Sequence, residues 1–289
     1  VSAPVDHHTS HTALRAGAVA HRWAGVVGDH ADALCAVGVR CDEDDRRVGE
    51  SLVMELEPGR ATPRVRLPFV VEGVAGTTRM PLLRDAHGAL WCLDGDTPVH
   101  VLDDVIAIHG DLALTGDRRV VAITADGSHR EMAAGVRGLG DGVIVGDDGL
   151  LLIDHGVIGQ KVTWTPPATV GVCHRRGDAI AVAGDGRLFV LDAGGATPLV
   201  RAVPGPALVH CLARAPDRWL LGSTVGGLLA LEDDDDAIAV KRPSLRAHQL
   251  VRLGDGGFAA VSDLFIATSD DGIDWLGRDL TSVVRHFQG

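Results

Sequence analysis

A repeated phrase of short strands and tight turns constrains this chain more than any other feature. Residues 140–154 read as an apolar strand, a Gly/Asp turn, a second strand, a short Asp/Gly turn, and a third strand ending in Asp154. Residues 177–192 and 216–232 repeat the phrase, and 85–94 and 110–124 carry the same skeleton. It is looser at 256–269, where Ser262 and Asp263 replace the Gly turn. It diverges most at 33–57, where 41–47 is a longer loop. The ends of the third strands fall at Glu57, Asp94, Thr124, Asp154, Asp192, Glu232 and Ser269. Their spacing of roughly 30 to 40 residues is the period of a solenoid or radial array.

Each apolar run is about four to seven residues long, which suits strands buried on one or both faces. Gly and Asp in the turns supply the positive φ that tight hairpins need. A parallel βαβ fold needs a helix in each crossover, and the gaps here are too short. Only residues 12–24 have room for a short helix. A lone sheet of this kind leaves two apolar faces open, and stacking sheets around an axis buries both. The expected fold is therefore all-β, a single β-propeller. The marks suggest seven blades, or six if the first copy is split between the chain ends. Residues 1–16 form a His-rich tail and 17–289 the propeller. Pairing of the two terminal segments, with 282–287 as the closing strand, would remove the sheet edges.

Thr268, Asp270, Gly272 and Trp275 spell T-x-D-x-G-x-x-W. This resembles the Asp-box, or BNR repeat, of sialidase-like propellers, within the wider group of WD40-, YVTN- and BNR-like repeat proteins. The resemblance implies a structural hairpin turn on the outside of a blade. Asp and Gly shape the loop and Trp packs between strands, without catalysis. It covers one repeat in full, and Thr124-Ala125-Asp126 is a degenerate copy. The usual sialidase nucleophile is Tyr and the usual calcium lactonase ligand set includes Asn, yet the chain has no Tyr and no Asn. It also lacks recurring GH and WD pairs and the G-x-S-x-G elbow of a fused hydrolase.

Composition narrows the partners. The formal net charge is −12, which disfavours nucleic acid and anionic membranes. Arg46/Arg47, Arg118/Arg119 and Arg175/Arg176 are isolated basic pairs, and the only lysines are Lys161 and Lys241. The Ala, Gly, Val, Arg and Asp bias points to a GC-rich bacterial genome. Cys35, Cys41, Cys92, Cys173 and Cys211 form no CxxC pair and mostly sit in apolar runs. They read as buried reduced thiols, which favours the cytoplasm. The first residues are polar rather than basic then apolar, so no secretory leader is expected. No run is long enough for a membrane helix.

One constellation suggests a binding site. Arg175, Arg214 and Arg252 each lie three residues before a turn Asp: Asp178, Asp217 and Asp255. His210 and His248 lie seven before the last two. On a ring these five would line one arc of the channel mouth and attract a carboxylate, or would neutralise neighbouring carboxylates. His109, His174, His210 and His248 are the acid–base candidates. His7, His8 and His11 match no closed metal site, and the acidic runs 42–45 and 233–236 read as solvated loops. The five tryptophans read as packing between blades. No catalytic residue, metal or cofactor is assigned. The leading expectation is a non-catalytic scaffold, monomeric, binding another protein as a bacterial accessory or regulatory subunit. A hydrolase or lyase with a His/carboxylate site, and a carbohydrate-binding propeller, are the alternatives.

Overall fold

The computed structural model describes residues 21–41, 47–58, 60–154, 156–194, 198–203, 209–223, 227–232, 238–242 and 246–277. The expected tail 1–16, the acidic runs 42–45 and 233–236, and the closing strand 282–287 lie outside them. Every regular element among the described residues is a strand. Residues 21–24, where a short helix had room, belong to the first of these.

The chain runs in successive antiparallel meanders of four strands. The first holds β1 (His21–His30), β2 (Ala33–Cys41), β3 (Arg47–Glu57) and β4 (Arg60–Leu67). The next holds β5 (Val71–Gly76), β6 (Pro81–Asp85), β7 (Leu90–Asp94) and β8 (Thr97–Leu102). Then come β9 (Val105–His109), β10 (Leu112–Thr115), β11 (Arg119–Ile123) and β12 (His129–Ala134), followed by β13 (Val136–Asp141), β14 (Val143–Gly146), β15 (Gly149–Asp154) and β16 (Val157–Thr163). After these are β17 (Val172–Arg176), β18 (Ala179–Gly184), β19 (Arg187–Asp192) and β20 (Leu199–Ala202), then β21 (Val209–Arg214), β22 (Arg218–Ser223), β23 (Gly227–Glu232) and β24 (Ile238–Arg242). The last described set is β25 (Gln249–Arg252), β26 (Phe258–Val261), β27 (Ile266–Ser269) and β28 (Leu276–Gly277). The residues that mark the repeat in the sequence stand at the ends of the third strands. The two shortest repeats are four-stranded, with turns as short as one or two residues.

Five meanders are separate sheets, while β13–β16 and β17–β20 share one eight-stranded sheet. The join is a short parallel pairing, Gly140 with Cys173 and Asp141 with His174. Gly140 makes it possible, because a Cβ there would lie 1.7 Å from the Cys173 carbonyl oxygen.

Strand periodicity explains the packing. In β18, Ile180 and Val182 face the meander before, while Ala181 and Ala183 face the one after. Both faces of each sheet are thus apolar. An apolar cluster lies between each meander and the next, such as Leu112, Leu114, Val136 and Ile144. Another joins the ends of the series: Trp23, Val26, Leu34 and Met54 pack on Leu253, Ala259, Val261 and Ile266. First strands lie side by side around the ring, β1 by β5 through to β21 by β25, with β25 again beside β1. This is a propeller arrangement. The described closure combines side-chain and backbone hydrogen bonds, among them Asp255 N–H to Asp29 O at 3.0 Å. Gln249 Oε1 accepts from Val26 N–H at 2.8 Å, and its Nε2 donates to Val74 O at 2.9 Å and Val26 O at 3.2 Å. Asp263 binds Arg22 and Arg47, and its carbonyl accepts from Trp23 N–H at 2.9 Å. All five cysteines are free and buried.

Replacing Gly140 with Ala should destabilise the protein by about 3 kcal/mol or more, because backbone lies in the way. Gly277→Ala, where a Cβ meets nothing within 4 Å, should stay within about 0.5 kcal/mol of the parent. Urea unfolding of the two variants checks the pair.

Candidate functional site

First strands that run the same way around a ring gather their C-terminal ends at one mouth of the channel. His109 ends β9, Asp141 ends β13, Arg176 ends β17, Arg214 ends β21 and Arg252 ends β25. His174 shares a face of β17 with Arg176, since alternate residues point the same way.

His174 is 4% exposed and meets the Trp219 ring edge-on, with centroids 5.9 Å apart. Its Nδ1 is 3.8 Å from Asp141 Oδ2, beyond hydrogen-bond reach, and has no hydrogen-bond partner. Burial pushes its pKa down to about 4; Asp141 opposes this, while His109, Arg252 and Arg176 add to it. These groups come from four different meanders, so His174 sits where the first strands converge. Burial also lowers the pKa of His109, with Asp141 opposing.

Arg176 is half-buried and donates from Nη1 to the Arg214 carbonyl at 3.0 Å. Burial lowers its pKa, and the neighbouring charges of Arg252 and Arg214 lower it further. The Arg214 guanidinium lies 5.0 Å over the Trp219 ring, a cation–π arrangement. Arg252 is exposed. An acidic protein thus concentrates cations at one mouth.

The structure divides the five residues singled out from the sequence. Arg214 and Arg252 are in the mouth. Arg175 turns to the preceding meander, where Nη1 donates to Ile153 O at 3.1 Å and Asp154 Oδ1 at 2.9 Å; it neutralises a neighbour. Its adjacent residue Arg176 takes the mouth position. His210 is the second residue of β21 and His248 immediately precedes β25, so both stand at the other ends of these strands, about 13 Å away along the backbone. There burial lowers the pKa of His248, with Asp263 opposing and Arg47 and His210 adding to it. Sequence reasoning missed Arg176 and Asp141. The signal for Arg176 was alternation, which sets Arg175 on the face of buried Cys173.

The turn after β27 is ordered by its own side chains. Asp271 Oδ1 accepts from Ser269 Oγ and from the backbone N–H of Ile273 and Asp274, at 2.8–3.1 Å. Ser269 Oγ accepts from Gly272 N–H at 2.8 Å. Gly272 has φ +78°, and a Cβ there would lie 2.6 Å from Leu220 Cδ1. Trp275 is buried and donates from Nε1 to Gly272 O at 3.0 Å. Thr268 lies in β27 and Asp270 is exposed, so the ordering pair is Ser269 and Asp271. Thr124, Asp126 and Ser128 build a similar turn, and hydrogen bonds from Thr124 and Ser128 hold Asp126 down at about 2. The tryptophans make no stacking rim: Trp23, Trp219 and Trp275 are buried, and Trp91 and Trp164 pack on Phe69 and Phe189.

Asp271→Ala should cost about 1 kcal/mol, as loss of a capping carboxylate does, while Asp270→Ala should stay within about 0.5 kcal/mol. Thermal unfolding separates them. The native His174 stays neutral down to about pH 4, while an unfolded chain takes up that proton near pH 6.5. Stability should therefore be full above pH 6.5 and fall between pH 6.5 and 4. His174→Gln should flatten that slope in a series of unfolding curves, and an unchanged slope would assign it elsewhere.

No protein-family model matches the chain, and no curated protein matches it in sequence. Solved structures match in fold. YCF48 bound to a D1 peptide aligns with TM-score 0.56 at 14% identity, over 86% of this chain and 91% of that one. The WD40 β-propeller domain of Doa1 gives 0.61 at 10% identity, over 87% and 95%. BamB from Moraxella catarrhalis gives 0.54 at 10%, over 87% and 98%. At such identities the likeness carries architecture alone, and it agrees with the ring of sheets described above: the chain folds as a β-propeller.

Proposed function

We propose that the chain is a seven-bladed, non-catalytic scaffold that binds another protein, with the partner seated over the cationic mouth. The count of seven takes the eight-stranded sheet as two blades, which the apolar cluster between its halves supports. A peptide lies on one structural neighbour, YCF48, so this architecture is compatible with the task; fold alone does not assign function. The observation that carries the reading is the convergence of Arg176, Arg214 and Arg252 on a chain of net charge −12. An accessory or regulatory role in a bacterial cytoplasm belongs to the same reading, and the buried thiols suit a reducing compartment.

One observation favours a second reading, a hydrolase or lyase: His109, His174 and Asp141 approach one another. A histidine held neutral to about pH 4 is a weak base at pH 7, and general catalysis works best near the operating pH. The scaffold reading is therefore preferred.

Affinity purification from the native host should recover a stoichiometric protein with the parent chain. The Arg176→Glu/Arg252→Glu double variant should lose it, and Lys161→Glu on an outer strand should keep it. Equal recovery by all three would overturn the placement of the partner. Recovery of none, with turnover of a metabolite that depends on His174, would favour the enzyme.

A further inference from the structure

We propose that the mouth holds a single carboxylate, gripped between Arg176 and Arg252 and hydrogen-bonded by His174. This rests on the reading of the mouth as the binding face and names the chemistry it takes: an acidic side chain or the terminal carboxylate of a protein partner. Three features carry it.

Like charges do not gather in a half-buried place without a counter-charge. Among the described residues, no Asp or Glu stands within ion-pair distance of Arg176 or Arg252, although ion pairs are frequent elsewhere, such as Arg175 with Asp154 and Arg218 with Glu232. Of the carboxylates at this end, Asp141 is 3.8 Å from His174, and Asp217 is paired with Arg218, with Arg214 nearby.

Arg176 is also held in place. One N–H of its fork is committed to the Arg214 carbonyl, and the Arg214 guanidinium rests over Trp219. A guanidinium has five N–H donors, so donors of Arg176 remain for a planar, two-oxygen acceptor. Arg252, approaching from two meanders further round the ring, supplies a second planar fork.

His174 gives the third, independent feature. It is buried, walled by Trp219, and carries a nitrogen without a partner. An unmade hydrogen bond on a buried polar atom costs about 1–3 kcal/mol, and an oxygen in the mouth would satisfy a neutral imidazole N–H. Asp141 favours a singly charged group over a phosphate dianion, which would meet more repulsion there.

The test is an amide NMR titration of the whole chain with small probes. N-acetyl-glutamate α-amide presents a side-chain carboxylate and N-acetyl-alanine a terminal one; N-acetyl-glutamine α-amide is the neutral control and inorganic phosphate the anion control. A carboxylate probe should give saturable shifts in the millimolar range, centred on residues 141–142, 176–177, 214–215 and 252–253. Which of the two acids binds more tightly identifies the source. Affinity should fall by about tenfold or more in Arg252→Gln, a surface change that leaves the fold intact, and in Arg176→Gln. Arg175→Gln should leave it unchanged. Absence of saturation by either acid, equal shifts with the glutamine probe, or tighter binding of phosphate would each overturn the proposal. A partner captured through the mouth while neither acid binds would overturn the carboxylate and keep the scaffold; acids that bind while no partner is captured would do the reverse.

Discussion

The ring depends on how its last sheet meets its first. A sheet edge facing the axis leaves backbone N–H and C=O groups that need partners. At Val26 in this seam a carboxamide supplies them, and at Trp23 and Asp29 backbone groups do. Gln249 carries a donor and an acceptor on one planar group, as a peptide unit does. It satisfies both backbone groups of Val26 and reaches on to the Val74 carbonyl. Gly25 makes room, since a Cβ there would stand 2.7 Å from Gln249 Oε1 and 2.9 Å from Val74. The shared apolar cluster behind the seam and the Asp263 bridge to Arg22 and Arg47 complete it.

Closure is what makes the mouth. Arg176, Arg214 and Arg252 are far apart in sequence and belong to different sheets, and only a ring sets their strand ends facing a common axis. Once there, the cations raise one another's electrostatic energy, and the same field, with burial, keeps His174 neutral. The carboxylates of the turns are bound chiefly to their own neighbours: Asp217 holds Arg218, with Arg214 also close enough to lower its pKa, and Asp255 accepts from Gly257 and Ala31. An acidic protein therefore presents a cationic recess.

Much of the architecture was legible in the sequence, because turn chemistry and apolar runs are local. Glu57, Asp94, Asp154, Asp192, Glu232 and Ser269 each end a third strand, and Thr124 directly follows one. The site was legible only in part. Counting back from the turn Asp finds residues in equivalent register, as the pairing of Arg175 with Ile180 and Arg214 with Trp219 shows. It does not say which neighbours are there to meet them: Arg175 finds Asp154, while Arg214 lies over the Trp219 ring. Nor does it weigh strand direction, which puts His210 and His248 at the opposite ends from the arginines. The turn at 268–275 shows a smaller version of the same limit. The spacing of the pattern selects Asp270, whereas the hydrogen bonds select its neighbour Asp271.

The closed ring is tested most directly by hydrogen exchange at the seam. The amides of Trp23 and Val26 have no strand beside them on the axial side, and their partners are the Asp263 carbonyl and the Gln249 carboxamide. If the ring is closed as described, both should exchange as slowly as the amides of central strand β2, through global unfolding. Exchange at the rate of a free edge strand, with β2 still protected, would contradict the closure and with it the mouth.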